Sequence, residues 1–194
     1  KQDETIAGLN LKLGRYGTYP DPQEGWKFIS TLESAGHFLG GDNYFWRLSP
    51  ELTRYFSLNQ NQIIAARAKF GLGYPDDKGL FQLGGEKALR GFAYKTINGS
   101  QAAMLNLEYR RDIIDNLDLR FFDNIISLEK IQGVGFFDIG KSWFDSFGQR
   151  GFKKDAGLGL RLHFTLGSFL EKFILRLDAA QPINQPKSPR RYWF

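Results

Sequence analysis

The sequence predicts an all-β protein of antiparallel strands, and it favours a transmembrane β-barrel over a soluble β protein. Apolar and polar residues alternate along most of the chain, in segments near the roughly 9–11 residues that a tilted membrane strand needs. Aromatic residues make up 15% of the chain although its mean hydropathy is negative. A membrane barrel combines these properties because its aromatics face outward around a polar interior. No apolar run reaches the roughly 18–20 residues of a membrane-spanning helix.

Eight segments carry the strand pattern, and a short aromatic piece ends the chain. The pattern is clearest where leucines alternate with glycine and polar residues, as in the first segment and the seventh. In order, the segments are Thr5–Tyr16, Trp26–Leu39, Tyr44–Leu58, Gln62–Tyr74, Gln101–Arg111, Gln132–Trp143, Ala156–Leu166 and Phe173–Gln181, followed by the terminal piece Arg190–Phe194.

The first four segments are separated by short turn signals. Trp26–Leu39 follows the proline-rich stretch Tyr19–Pro22, and Gln62–Tyr74 follows the polar turn Asn59–Asn61. Pro50 interrupts the long aromatic segment between them. Because proline cannot donate a ladder hydrogen bond, it predicts a bulge or a sheet edge at that point.

The later segments resume after a long interruption. Gln101–Arg111 alternates cleanly, and Phe173–Gln181 sets leucine and alanine opposite charged residues. Gln132–Trp143 fits either orientation of its two faces. Leu117–Lys130 is ambiguous between a strand extension and a short amphipathic insert.

The interruption itself, residues 75–100, is a glycine-rich loop. Loops of this length are uncommon and usually functional. At its centre, Leu89, Arg90, Gly91 and Phe92 place a cation and a large aromatic on either side of a glycine. Glycine reaches backbone conformations closed to other residues, so it predicts a sharp tip that aims both side chains. If the strands close into a barrel, this loop can fold inward and dock Arg90 on a carboxylate of the wall.

Two acids are candidates for that carboxylate. Glu108 lies on the polar face of the strand after the loop, and Asp138 lies in the next strand on the same face as Phe136 and Gly140. Two carboxylates on neighbouring strands suit one guanidinium, which favours planar bidentate pairing. Spacing alone equally allows Arg90, Glu108 and Asp138 to be unrelated charges.

The residue pattern offers little for catalysis, and no enzyme, cofactor or metal is expected. His37 and His163 lie in different segments without metal-ligand spacing, so both are interpreted as polar-face residues. No nucleophile elbow or phosphate-binding glycine loop occurs. Asp76 and Asp77 lie in the long loop without the spacing of a calcium site. The chain contains no cysteine, which excludes disulfides and thiolate metal sites.

The net charge of +5 arises from interspersed acids and bases. The basic clusters Arg110–Arg111, Lys153–Lys154 and Lys187–Arg191 are interpreted as solvated strand ends or loops. No recognisable nucleic-acid module accompanies them, so no nucleic-acid partner is expected. Lys1–Glu4 is polar and precedes no apolar segment of a secretory signal, which predicts a mature, cytosolic or excised chain.

Five motifs in one order carry a resemblance to a known family. They are Leu89–Phe92, Asn106–Arg110, Gly135–Trp143, Gly157–Leu162 and Leu175–Pro182. Together they resemble the C-terminal barrel half of the BamA, TamA and two-partner-secretion transporter superfamily, also called the bacterial surface antigen domain. The resemblance runs from about Tyr44 to the end and is strongest from Gly84 to Pro182.

The resemblance implies roles for the motif residues. In that family a sixteen-stranded outer-membrane barrel carries an inward loop with a Val/Ile-Arg-Gly-Phe/Tyr tip, whose arginine pairs with acids of the wall. Those roles fall on Arg90, Glu108 and Asp138, with Phe136 and Gly140 in the strand motif. Leu89 departs conservatively from the usual β-branched residue. Residues 1–194 are then a partial barrel domain, and residues 75–100 are the inward loop within it.

The resemblance also implies a non-catalytic function in inserting or transporting proteins. The implied partners are outer-membrane lipid, unfolded or secreted protein substrates, and periplasmic modules or accessory lipoproteins. The implied location is the bacterial outer membrane, or an organelle outer membrane of bacterial origin. Two alternatives stay open: a family barrel that anchors or secretes a fused enzyme such as a patatin-like phospholipase, and a soluble β-barrel binding protein.

Eight strands and a stub would form the second half of such a barrel. An open half-barrel leaves two unpaired edges, which lipid does not tolerate. The expectation is therefore that other residues complete the wall, that two copies do, or that the chain closes into a smaller barrel.

Overall fold

The computed structural model describes residues 5–17, 20–36, 40–41, 43–123, 125–145, 151–167, 171–183 and 189–194. Within these ranges the chain forms twelve strands. Their bounds are β1 Ile6–Tyr16, β2 Gly25–Ala35, β3 Phe45–Asn59, β4 Gln62–Tyr74, β5 Phe81–Leu83, β6 Ile97–Gly99, β7 Gln101–Ile114, β8 Leu119–Phe121, β9 Ile126–Trp143, β10 Lys153–Leu166, β11 Glu171–Pro182 and β12 Arg191–Trp193. Lys1–Glu4, His37 and Lys187–Ser188 lie outside the described residues.

The long strands form one antiparallel meander in the order β1-β2-β3-β4-β7-β9-β10-β11-β12. Eight long strands and a short terminal strand are the number that the alternation predicts, and the all-β antiparallel fold is confirmed. The sheet is open within the described residues, because β1 pairs only with β2 and β12 pairs only with β11. Strands β5 and β6 form a separate two-stranded sheet.

The sheet curls around its polar face. Asp21, in the turn between β1 and β2, lies 3.3 Å from Arg110 on β7 and 3.1 Å from Lys130 on β9. These contacts join positions 89 and 109 residues apart in the sequence. The first strands therefore face the later ones across a charged interior.

The prediction of a bulge or edge at Pro50 is wrong. Strand β3 is interior, and Pro50 pairs in register with Ser30 of β2. Toward β4, pairing lapses at Ser49 and Pro50 but keeps the same register on either side. Proline removes one donor, and the long paired flanks hold the strand in place without a bulge. The register shift of β3 lies instead next to its terminal turn, between Ser57 and Asn59.

The ambiguous stretch Leu117–Lys130 is a strand extension. Strand β8 pairs with Ile126–Leu128, so β9 begins at Ile126 and runs for 18 residues. This hairpin lies beyond the level of the two-residue turn that joins β3 to β4. The wall is therefore taller at β9 and β10 than at β3 and β4.

The outer face of the wall is apolar. Leu9, Phe70 and Leu158 are 74%, 56% and 73% exposed, and they belong to a larger set of outward leucine, phenylalanine and tyrosine side chains. Exposed apolar surface on this scale suits a wall that faces lipid. No helix of the described residues is long and apolar enough to cross a membrane.

The segment between β4 and β7 lies on the inner face of the wall. Its Phe81, Leu83, Leu89 and Phe92 form a buried cluster with inward-facing side chains of β7. The sequence pattern predicted a loop here, but the segment contains the β5–β6 hairpin. Apolar residues spaced through the segment bury against the wall, which gives the hairpin a surface on which to form.

Candidate functional site

Arg90 lies at the tip of this inward segment and pairs with Asp138 of β9. Its Nε donates to Asp138 Oδ2 at 2.8 Å and its Nη2 donates to Asp138 Oδ1 at 2.8 Å. This is the parallel two-bond geometry that gives a guanidinium–carboxylate pair its strength and direction. Arg90 is 3% exposed and Asp138 is fully buried. Asp138 thus fixes both the position and the plane of the guanidinium.

Glu108 of β7 accepts a hydrogen bond from the remaining nitrogen of the guanidinium. Arg90 Nη1 donates to Glu108 Oε1 at 2.6 Å. The other oxygen of Glu108 accepts two bonds from Arg110, at 2.9 and 2.8 Å. The structure therefore brings together the three residues that the sequence singled out, with Arg110 as an additional partner.

The charge of Arg90 is well supported in this setting. Burial by itself disfavours the cation, but the hydrogen bond and the negative charge of Asp138, with the charge of Glu108, raise the pKa of Arg90 above its usual value. Arg90 lies in the inward segment rather than in a strand of the wall. Its guanidinium is therefore charged at neutral pH.

Asn106 of β7 ties the backbone of the tip to the same acid. Its Nδ2 donates to Ala88 O and to Asp138 Oδ1, each at 2.7 Å. Its Oδ1 accepts from Arg67 of β4 at 2.9 and 3.0 Å, and Arg67 also donates to the carbonyl oxygen of Lys87. The tip is therefore held by backbone contacts as well as by Arg90.

The strand-motif residues Phe136 and Gly140 both contact the inward segment. The guanidinium carbon of Arg90 lies 3.5 Å from the centroid of the Phe136 ring, a cation–π contact. A Cβ on Gly140 would come within 3.3 Å of Leu83 and Leu89, so the glycine makes room for them. Phe136 thus stabilises the charge of Arg90, and Gly140 leaves room for the apolar side chains of the segment.

Gly91 is required for close approach, and not for the reason predicted. Its φ lies outside the left-handed region, whereas Gly84 and Gly85 at the start of the tip have φ of 107° and 100°. A Cβ on Gly91 would lie 2.5 Å from Cβ of Asp155 and 3.0 Å from the backbone nitrogen of Pro182. The tip lies directly on β10 and β11, where no side chain fits.

The site contains two further charged residues. The sequence pattern assigned them to polar faces but predicted none of their contacts. Asp178 of β11 lies 3.5 Å from Arg90 Nη1 and accepts from Arg161 of β10 at 2.5 Å. A Cβ on Gly159 would come within 2.0 Å of Asp178 Oδ1, so that glycine opens the space for the carboxylate. The sequence signal for these two residues was their inward position on consecutive strands. Alternation does not predict which charged side chains contact each other.

Trp193 of the short strand β12 is a contact that the sequence did not indicate. Its indole Nε1 donates to the backbone carbonyl oxygen of Arg90 at 2.7 Å. Trp193 pairs with Asp178 across β11 and β12, which turns its ring toward the interior. The last strand and the loop tip are therefore directly joined.

Replacing Trp193 with phenylalanine should loosen the tip modestly. The change keeps an aromatic ring but removes the donor to Arg90 O, a loss of about 1 kcal/mol in the free energy of unfolding. Heat stability of the barrel and protease cleavage after Lys87 measure the effect. Trp46, which faces outward and is 43% exposed, provides the matched control through Trp46→Phe. Equal effects of both changes would contradict a role for the indole donor.

The remaining sequence candidates stand apart from this site. His163 lies on the inner face with its Nε2 3.9 Å from Asp21 Oδ2, and His37 lies outside the described residues. Among the described residues, no group of three or more histidine, cysteine, aspartate and glutamate side chains is arranged to hold a metal ion.

Comparison with known protein families agrees with this architecture. The description "Omp85 superfamily domain" matches residues 1–194. A comparison with curated proteins found no match. The family that the five motifs indicate is confirmed, since the match covers the full length of the chain, and the assignment to the C-terminal half of the barrel stays a prediction. The chain belongs to the Omp85 superfamily, whose members are outer-membrane β-barrels associated with the insertion or transport of proteins.

Proposed function

We propose that the chain is part of an outer-membrane β-barrel that inserts or transports proteins and catalyses no covalent reaction. Unfolded or secreted proteins are its substrates, and periplasmic modules or accessory lipoproteins are its protein partners. The proposed location is the bacterial outer membrane, or an organelle outer membrane of bacterial origin. Arg90, Glu108 and Asp138 hold the inward segment of residues 75–100 in the transport-competent barrel.

The observation that carries the proposal is the buried attachment of the tip to two strands of the wall. Arg90 joins Asp138 of β9 and Glu108 of β7 while only 3% of its surface is exposed. Removing either partner of a pair sheltered in this way costs far more stability than removing one partner of a surface pair. The inward segment thus acts as a fixed part of the interior.

The interior beside the tip is lined by charged side chains of both signs. A cavity of about 240 Å³ lies next to Arg90, and Lys27, Glu51 and Arg67 contribute to its lining. Charges of both signs keep such a surface hydrated without selecting one ligand charge. A chain of varied sequence can pass or pair beside a surface of this kind.

Depletion of the intact protein in its host tests the function. The expected result is a fall in the amount of other outer-membrane barrels, or of a secreted protein, before growth stops. Unchanged levels of both, or recovery of the protein from cells without detergent, would contradict the proposal. Loss of a single hydrolase activity alone would instead indicate a barrel that serves a fused enzyme.

A further inference from the structure

A furrow runs along the outer face of β9, where two consecutive outward positions are glycine. Gly133 and Gly135 alternate with the inward residues Gln132, Val134 and Phe136. A Cβ on Gly133 would lie 2.9 Å from Cδ1 of Ile113, so the side chain of Ile113 borders the furrow there. A Cβ on Gly135 would have no neighbour closer than 3.9 Å, so the furrow is open at this point.

The strands on either side give the furrow apolar walls. Tyr109 of β7 and Leu158 of β10 are the cross-strand partners of Gly135, and Leu160 of β10 is a partner of Gly133. Tyr109, Leu158 and Leu160 are 40%, 73% and 40% exposed. These residues belong to an apolar hollow of about 650 Å³ on the outer face.

One end of the furrow carries a cation. Arg111 of β7 is the other cross-strand partner of Gly133, and it lies on the outward face of its strand. Among the described residues, its guanidinium has no hydrogen-bond, ion-pair or aromatic partner. An outward arginine without a partner in the protein calls for an anion in the surroundings.

Arg111 also lies level with the end of β4. It pairs with Gln62, the first residue of β4, and the adjacent Asp112 N donates to Asn61 O in the β3–β4 turn at 3.0 Å. The furrow therefore starts beside the first residue of β4 and leads from there along the apolar outer face of β9.

We propose that this furrow holds one acyl chain of an anionic phospholipid whose phosphate binds Arg111. An empty furrow would leave its lining without van der Waals partners, so a chain that enters it gains contacts that a flat wall does not offer. The guanidinium at the furrow's end supplies a charge-assisted hydrogen bond to the phosphate of the same molecule. The apolar furrow thus suits the acyl chain, and Arg111 suits the phosphate, of one phospholipid molecule.

Native mass spectrometry of the intact protein, released from detergent after incubation with phosphatidylglycerol or with zwitterionic phosphatidylethanolamine, tests the site. The wild-type protein should retain one phosphatidylglycerol in preference to phosphatidylethanolamine. Arg111→Gln should lower the affinity for phosphatidylglycerol about fivefold, as expected for the loss of one cation at a lipid headgroup. Gly135→Leu should lower the retention of both lipids because its side chain fills the furrow.

The matched control is Arg54→Gln. Arg54 is also outward and exposed, but its cross-strand neighbours are Trp26 and Ala66 and its guanidinium lies over the ring of Phe56 at 5.2 Å. This change should leave retention unaltered. An equal loss in Arg54→Gln, no loss in Arg111→Gln, or equal retention of both lipids by the wild type would each overturn the proposal.

The site rests on the proposed membrane location of the wall, and the two can fail separately. A protein that stays monodisperse without detergent and retains neither lipid would refute the membrane function together with the site. A protein that needs detergent but shows no dependence on Arg111 and Gly135 would refute the lipid site alone.

Discussion

Arg90→Ala is expected to release the inward segment from the wall and to lower the free energy of unfolding by about 3–5 kcal/mol. The change leaves Asp138, Glu108 and Asp178 buried near one another without the cation that they share. Both the repulsion among these acids and their loss of hydrogen bonds oppose the docked arrangement. Heat stability of the barrel in detergent measures the loss in free energy of unfolding. Substrate insertion or transport by the intact protein measures the consequence of releasing the inward segment.

Arg90→Lys and Lys87→Arg separate charge from geometry. Lysine at position 90 keeps the charge but cannot make the two parallel bonds to Asp138, so an intermediate loss is expected. Lys87→Arg changes an exposed cation in the same segment, whose side chain is 88% accessible, and should be neutral. Wild-type heat stability and transport in Arg90→Ala would rule out the tether, and a loss in Lys87→Arg would show that any change in the segment is harmful.

The strands could be predicted from the sequence because one physical rule dictates their pattern. Each wall residue faces either the interior or the outside, so Gln62–Tyr74 alternates and its bounds match β4. The tether could be proposed because its motif residues are few and their order matches a known family. The number of long strands followed from counting the same alternation.

The contacts among interior charges could not be predicted from the sequence. Alternation assigns Arg161 and Asp178 to the inner face, but their pairing depends on the relative register of β10 and β11 and on the curvature of the sheet. The contact of Trp193 with Arg90 joins residues 103 positions apart through the fold of the tip. Pro50 was misread because local propensity was weighed without the two long neighbours that fix its strand.

Gly91→Ala is expected to undock the tip although it alters no charge. The added methyl group would lie 2.5 Å from Cβ of Asp155 and 3.0 Å from the backbone nitrogen of Pro182, in a place where neither atom can turn away. Overpacking of this kind costs roughly 1–3 kcal/mol or more, and displacement of the tip would also lengthen the bonds of Arg90. Increased trypsin cleavage after Lys87 and reduced heat stability are the measured outcomes.

Gly79→Ala is the control for this prediction, because it adds the same methyl group to the same segment. The nearest atom to a Cβ on Gly79 is 3.8 Å away, an ordinary contact, and its φ is not in the left-handed region. Protease resistance and heat stability should therefore stay at wild-type levels. If Gly91→Ala behaves like Gly79→Ala, the tip does not lie against β10 and β11. If it behaves like Arg90→Ala, close backbone approach and the buried ion pairs are two requirements of one docked state.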